Sequence, residues 1–156
     1  MISEITDDLR PAVTEYIIEH WYTDSMVING EIIDMTDKPG FCIISDGAID
    51  ALLIYRLAES SAEILSLDVE RKYTGTGSQL LEHFESRMKA VGINRITLVT
   101  TNDNTDAMRF YEKNGYNKKS VRHGAVNISR ALKPEIPLTG YGGMRITDEI
   151  IFEKTI

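Results

Sequence analysis

A chain of 156 residues with a 42% hydrophobic share is long enough to bury one core, and a single domain over residues 1–156 is expected. Acidic side chains outnumber basic ones 24 to 17, giving a net charge of −7, which argues against nucleic acid and anionic membrane as general partners. The one cysteine, Cys42, excludes an intrachain disulfide and a Cys/His structural-zinc spacing. It sits in the apolar stretch Phe41 to Ile44 and reads as a buried, inert thiol in a reducing compartment.

Met1 to Arg10 carries Glu4, Asp7 and Asp8 and no long apolar core, so it does not have the pattern of a secretory signal. No apolar run is long enough to span a bilayer. A cytoplasmic protein without membrane or metal is the expectation. Met1 to Thr6 is compatible with a short strand. Leu9, Val13, Tyr16, Ile17 and His20 then recur at helical spacing, which predicts a helix to about His20 with Asp7 or Asp8 as its cap. Trp21 and Tyr22 follow, either as walls of a pocket or as ordinary packing at a helix end.

Gly40 to Ser45 and Ala48 to Leu57 are rich in β-formers and are separated by Asp46 and Gly47, the pair that fits a tight hairpin. Ala62 to Val69 predicts the next strand. From Gly77 the period changes: Leu80, Leu81, Phe84, Met88 and Val91 line one helical face, and Gly92 is placed to end it. Arg95 to Thr100 reads as a strand, Ala107 to Lys113 as a short helix closed by Asn114 and Gly115, and Tyr116 to Val121 as a strand. Gly124 to Leu132 is weakly helical and Asp148 to Thr155 alternates as a last strand. Pro134, Pro137, Gly140, Gly142 and Gly143 mark the long loop between those two, either a lid or a plain connection. Hairpin strands mixed with strand–helix–strand units predict an α/β domain, one mixed sheet with helices on both faces.

The densest chemical signal is Lys72-Tyr73-Thr74-Gly75-Thr76-Gly77-Ser78, between an apolar strand and an amphipathic helix. Glycines let backbone N–H groups approach an anion, and a helix start adds unpaired donors and a favourable dipole. The spacing is not that of a Walker A loop, and Leu80 stands at the third glycine position of the dinucleotide fingerprint. An isolated Gly-x-Gly pair is more often a tight turn than a site. A second signal is Asn104 to Tyr116: on a helix Asn104 and Tyr111 are two turns apart on one face, so an amide and a phenol can address one extended ligand. The plainer reading is a cap and a packed ring.

Together the two segments resemble the GCN5-related N-acetyltransferases (GNAT). Lys72 to Leu81 is similar to that family's pyrophosphate loop, Arg or Gln, two residues, Gly, one residue, Gly or Ala. Asn104 to Tyr116 is similar to its Asn-x-x-Ala-x-x-Phe/Leu-Tyr-x-x-x-Gly-Phe/Tyr signature. The resemblance covers Glu63 to Val121 and, more loosely, the preceding hairpin. Thr100 to Asn104, Leu132 to Pro137 and Asp148-Glu149 look like an uncharacterised bacterial subgroup.

The resemblance implies a mostly antiparallel GNAT sheet splayed in its middle between Ala62–Val69 and Arg95–Thr100. It implies acetyl-CoA as co-substrate, transfer to a primary amine by direct attack, and no metal. The backbone of Leu65, Ser66 and Leu67 would pair with the pantetheine arm, and Tyr73, Thr74, Gly75, Thr76, Gly77 and Ser78 would cradle the pyrophosphate. Asn104 would contact the cofactor arm and Tyr111 would protonate the departing thiolate. Lys72 stands where Arg or Gln is usual, keeping the charge but losing the planar fork. Several members carry a glutamate base five residues before Asn104, where this chain has Val99. Glu63, a carboxylate within an apolar strand, is the first candidate for the base, beside its reading as a structural carboxylate. A non-catalytic acyl-CoA sensor or interaction module is the alternative, a mononucleotide binder the third reading. The acceptor is unassigned, and the late strands leave room for a homodimer.

Overall fold

The computed structural model describes residues 1–156. In chain order its elements are β1 (Ile2–Glu4), α1 (Arg10–Trp21), β2 (Ser25–Ile28), β3 (Glu31–Asp34), β4 (Gly40–Ser45), β5 (Ala48–Leu57) and β6 (Ser61–Val69). Then come α2 (Thr76–Ala90), β7 (Arg95–Thr101), α3 (Thr105–Lys113), β8 (Asn117–Arg122), α4 (Ala125–Leu132), a 3-10 turn at Tyr141–Gly143, and β9 (Glu149–Thr155). Two compact units emerge: residues 1–26, 34–96 and 156 in the first, residues 27–33 and 97–155 in the second.

In the first unit the strands lie in the order β1-β4-β5-β6, and each neighbouring pair is antiparallel. The β4–β5 turn falls on Asp46 and Gly47, both with positive φ, as their sequence predicts. Leu52, Leu53 and Ile54 are fully buried, and Phe41, Tyr55 and Phe84 stack as an aromatic cluster that seats α2. Residues directly opposite in a sheet share a face. Tyr55 meets α2, so Leu52, Ile54 and Arg56 and their partners Asp68, Ser66 and Glu63 lie on the other face. Trp21, at the end of α1, reaches Asp68 on that face. Between Ile54 and Tyr55 the register slips: Ile54 pairs with Ser66 and Tyr55 with Ile64, leaving Leu65 as an extra, bulged residue. Gly40 is fixed by contact, since a Cβ there would lie 2.2 Å from the Leu53 carbonyl oxygen.

In the second unit the strands run β7-β9-β8, with β8 and β9 antiparallel and Arg122 opposite Glu149. The chain thus has the mixed α/β, mostly antiparallel character expected of it. Some details depart from expectation. Neither Asp7 nor Asp8 caps α1; its N-cap is Leu9, no side chain closes the end, and Pro11 supplies a first-turn residue whose missing N–H costs nothing there. Val91 lies beyond the end of α2 and is exposed, while Leu80, Leu81, Phe84 and Met88 are buried. The hairpin β2–β3 was not expected at all. It turns on Asn29 and Gly30, both with positive φ.

Candidate functional site

The Lys72–Ser78 loop lies in the first unit and joins β6 to α2. Tyr73 takes a left-handed conformation at φ 61° and is 92% exposed, so its ring is not part of the core. Gly75, φ 81°, is the N-cap of α2, and no side chain caps that end. A residue with a Cβ would be strained there, which explains the glycine without any ligand. The Thr74 hydroxyl donates to the Arg71 carbonyl at 3.0 Å and meets the Thr76 hydroxyl at 2.8 Å, which holds the loop curled over the helix start. Gly77 is buried, whereas Lys72, Thr74 and Gly75 are exposed. The first N–H groups of α2 have no partner within the helix, so its mouth can receive an anion.

Just before the loop, β6 presents three polar side chains on the α1 face. Glu63 accepts from Arg56 Nε at 2.6 Å and is largely buried, so the structural-carboxylate reading describes its geometry. Ser66 is 5% exposed, next to the bulge at Leu65, and its hydroxyl has no partner. Asp68 accepts from Trp21 Nε1 at 3.0 Å, and burial pushes its pKa up against the opposing effects of Trp21 and His20. The sequence reading missed Asp68; the signal available was a carboxylate one residue past Leu67, within the strand expected to lie along a ligand. Trp21 is thereby a positioned side chain, whereas Tyr22 is 91% exposed. Cys42 is fully buried and burial raises its pKa, in line with an inert thiol.

Of the histidines, His83 packs edge-on against Phe41, and His123 lies exposed beside Asp148. His20 stacks on Tyr16, with its Nδ1 at 2.8 Å from the Tyr16 carbonyl and its Nε2 at 2.7 Å from Glu70. Burial opposes its charge, but those two acceptors prevail and raise its pKa.

In the second unit Asn104 is the N-cap of α3, its side chain accepting from the Ala107 N–H at 3.2 Å. Tyr111 is 7% exposed and meets Phe110 and Tyr116 edge-on. Both plainer readings therefore hold for these residues; neither precludes contact with a ligand. Val99 lies on β7 and offers no carboxylate. The adjacent Asn102 and Asp103 are structural: Asn102 Oδ1 accepts from the Thr147 and Asp148 N–H groups, and Asp103, 4% exposed, accepts from Thr101 and from the Tyr141 N–H. Arg130 binds the carbonyls of Ile136, Pro137 and Ile146. The long loop is thus tied at several points. No group of three or more His, Cys, Asp or Glu side chains is arranged to hold a metal, and no helix is long and apolar enough to cross a membrane.

A bulged strand leading into a glycine-capped helix, within a mostly antiparallel α/β chain, is the local architecture to be compared. Comparison with known proteins gives the family. Residues 3–116 match the Acetyltransferase (GNAT) family. The chain is 38% identical over 145 residues to the uncharacterised protein YdhI of Bacillus subtilis (strain 168), covering 92% of this chain and 91% of that one. Its fold is similar to the IAA acetyltransferase from Bacillus cereus ATCC 14579, with a TM-score of 0.72 at 16% identity over 100% and 99% of the two chains. It is similar also to a GNAT family acetyltransferase from Elizabethkingia anophelis with acetyl-CoA bound, with a TM-score of 0.69 at 17% identity over 100% and 97%. The chain belongs to the GNAT acetyltransferase family.

Proposed function

We propose that this enzyme moves the acetyl group of acetyl-CoA to a primary amine by direct attack, with Tyr111 as the general acid. The observation that carries the reading is the pair of family signatures on one chain, Lys72 to Ser78 at the mouth of α2 and Asn104 to Tyr111 along α3. In this reading the N–H groups from Tyr73 to Ser78 and the Lys72 ammonium hold the pyrophosphate. The backbone of Leu65, Ser66 and Leu67 follows the pantetheine arm, and Asn104 adds a polar contact. The bulge supports that role, because an extra residue redirects backbone groups that a regular ladder would consume.

The amine nitrogen attacks the thioester carbonyl, the C–S bond breaks, and the thiolate takes the phenolic proton of Tyr111. The proton lost by the amine needs a carboxylate. Asp68 is the better candidate than Glu63, since burial raises the Asp68 pKa towards the working range while Glu63 is held by Arg56.

Tyr111→Phe keeps the ring and removes the proton. Turnover at saturating substrates should fall about 10²-fold or more, the usual contribution of a positioned acid. Unchanged turnover in a folded variant removes the phenol from the mechanism. Asp68→Asn should abolish the acidic limb of the pH–rate profile and Glu63→Gln should leave it; the reverse result returns the base to Glu63.

A further inference from the structure

The last turn of α1 is fastened at two neighbouring points where β6 ends, and the two differ in chemistry. His20 Nε2 lies 2.7 Å from Glu70, and the Tyr22 N–H closes the helix on the Ile18 carbonyl at 2.8 Å. Trp21 makes the second point, its Nε1–H donating to Asp68 Oδ2 at 3.0 Å. An indole nitrogen donates only and does not titrate, so it can hold a carboxylate oxygen but cannot exchange a proton with it. Trp21 is 36% exposed, so this is not the hydrogen bond that a tryptophan buried in a core has to find.

The other oxygen of Asp68 accepts no hydrogen bond. Leu52, its partner on β5, is fully buried and carries no charge, and Ser66, two residues back on the same face, has a buried hydroxyl without a partner. Buried polar atoms left unpaired are few in folded proteins and call for a ligand or water. The charges that act on Asp68 are those of His20 and Glu70, while burial keeps the Tyr16 phenol neutral. Asp50 faces Arg71 at 3.5 Å, and Glu63 faces Arg56 at 2.6 Å. Burial pushes the Asp68 pKa up, and the Trp21 bond restrains it, which favours the carboxylate that a base must be.

From this geometry we infer that Trp21 is a positioning residue for proton transfer: its N–H pins one oxygen of Asp68 and so presents the other, beside the Ser66 hydroxyl, to the acceptor amine. The inference rests on the reading of Asp68 as the base. As the new N–C bond forms, an N–H bond of the amine breaks and its proton passes to the unpinned oxygen, while the indole proton stays on Nε1. A carboxylate released from the indole loses that alignment.

The test measures kcat and KM against pH on the full chain with acetyl-CoA and the fastest of a panel of primary amines that includes 1-aminopentane, ethanolamine, tryptamine and lysine. Trp21→Phe keeps an aromatic ring and removes the donor. It should lower kcat about tenfold or more, leave the amine KM within about twofold, and move the acidic limb to higher pH. In an Asp68→Asn background the same change should alter kcat by less than about twofold, because the group it positions is gone. An equal fall in both backgrounds, or a raised KM with unchanged kcat, overturns the positioning role; the latter makes Trp21 a wall of the acceptor pocket. An acidic limb that survives Asp68→Asn overturns instead the reading of Asp68 as the base. Trp21 is the only tryptophan, so its fluorescence reads the pair without any amine. An emission change with pH that Asp68→Asn removes is expected, and emission that titrates alike in both proteins overturns the inference.

Discussion

The two units are held together by different means. In the first, fully buried Leu52, Leu53 and Ile54 with the Phe41–Tyr55–Phe84 cluster form an apolar core on regular strands. In the second, much of the fixing is done by polar side chains. Glu149, 3% exposed, binds Arg122 at 2.8 Å and the Asn29 N–H through both oxygens, while Asn102, Asp103 and Arg130 tie the 133–148 stretch. An apolar core is non-directional and tolerates small shifts; a buried hydrogen-bonded network specifies one geometry and fails when a member is lost. The first unit carries the Lys72–Ser78 loop proposed above to hold the pyrophosphate, and the second carries Tyr111 and the 133–148 stretch.

The largest effects should come from attacking each support in turn. Phe84→Ala empties the centre of the aromatic cluster and should cost about 3–5 kcal/mol in urea unfolding. Arg122→Ala strands a buried carboxylate and should cost about 3–5 kcal/mol, with Arg122→Met/Glu149→Leu recovering most of it. If Arg122→Ala costs no more than an exposed pair, below about 1 kcal/mol, the polar account of the second unit is broken.

How far the sequence could be read follows the same line. The hairpin at Asp46-Gly47 and the apolar face of α2 were legible because turn chemistry and period agree with the final packing. Asn29-Gly30 carries an equally good turn signal between Met26-Val27-Ile28 and Ile32-Ile33, yet its strands are only four residues each, too short for periodicity to mark. The Asp7 and Asp8 expectation failed because two capping residues stand before a proline that already fits the first turn. Within the site, the loop glycine and the Asn104 cap were readable locally. Asp68 and the Arg56 partner of Glu63 were not, because they depend on strand register, which a bulge at Leu65 shifts by one residue.

Smaller effects depend on pH and sharpen the picture of the first unit. The raised pKa of Asp68 means that the folded state holds its proton more tightly than the unfolded one. Its stabilising effect is complete below the unfolded carboxyl value of about 4 and is lost as pH rises through the higher folded value. Asp68→Asn should therefore not lower, and should slightly raise, the melting temperature at neutral pH. His20 behaves with the same sign: its raised pKa gives stability present below about pH 6.5 and lost as pH rises through the folded value. His20→Gln should consequently be more destabilising at about pH 6 than at about pH 8. Equal destabilisation at both would remove the charged pairing with Glu70.

The most direct test of amine acetylation is release of free CoA thiol from acetyl-CoA across a panel of primary amines, with CoA affinity measured in parallel. Thiol release that depends on an amine and matches it one to one is the predicted result. CoA binding with no amine-dependent release over a broad panel would contradict the account.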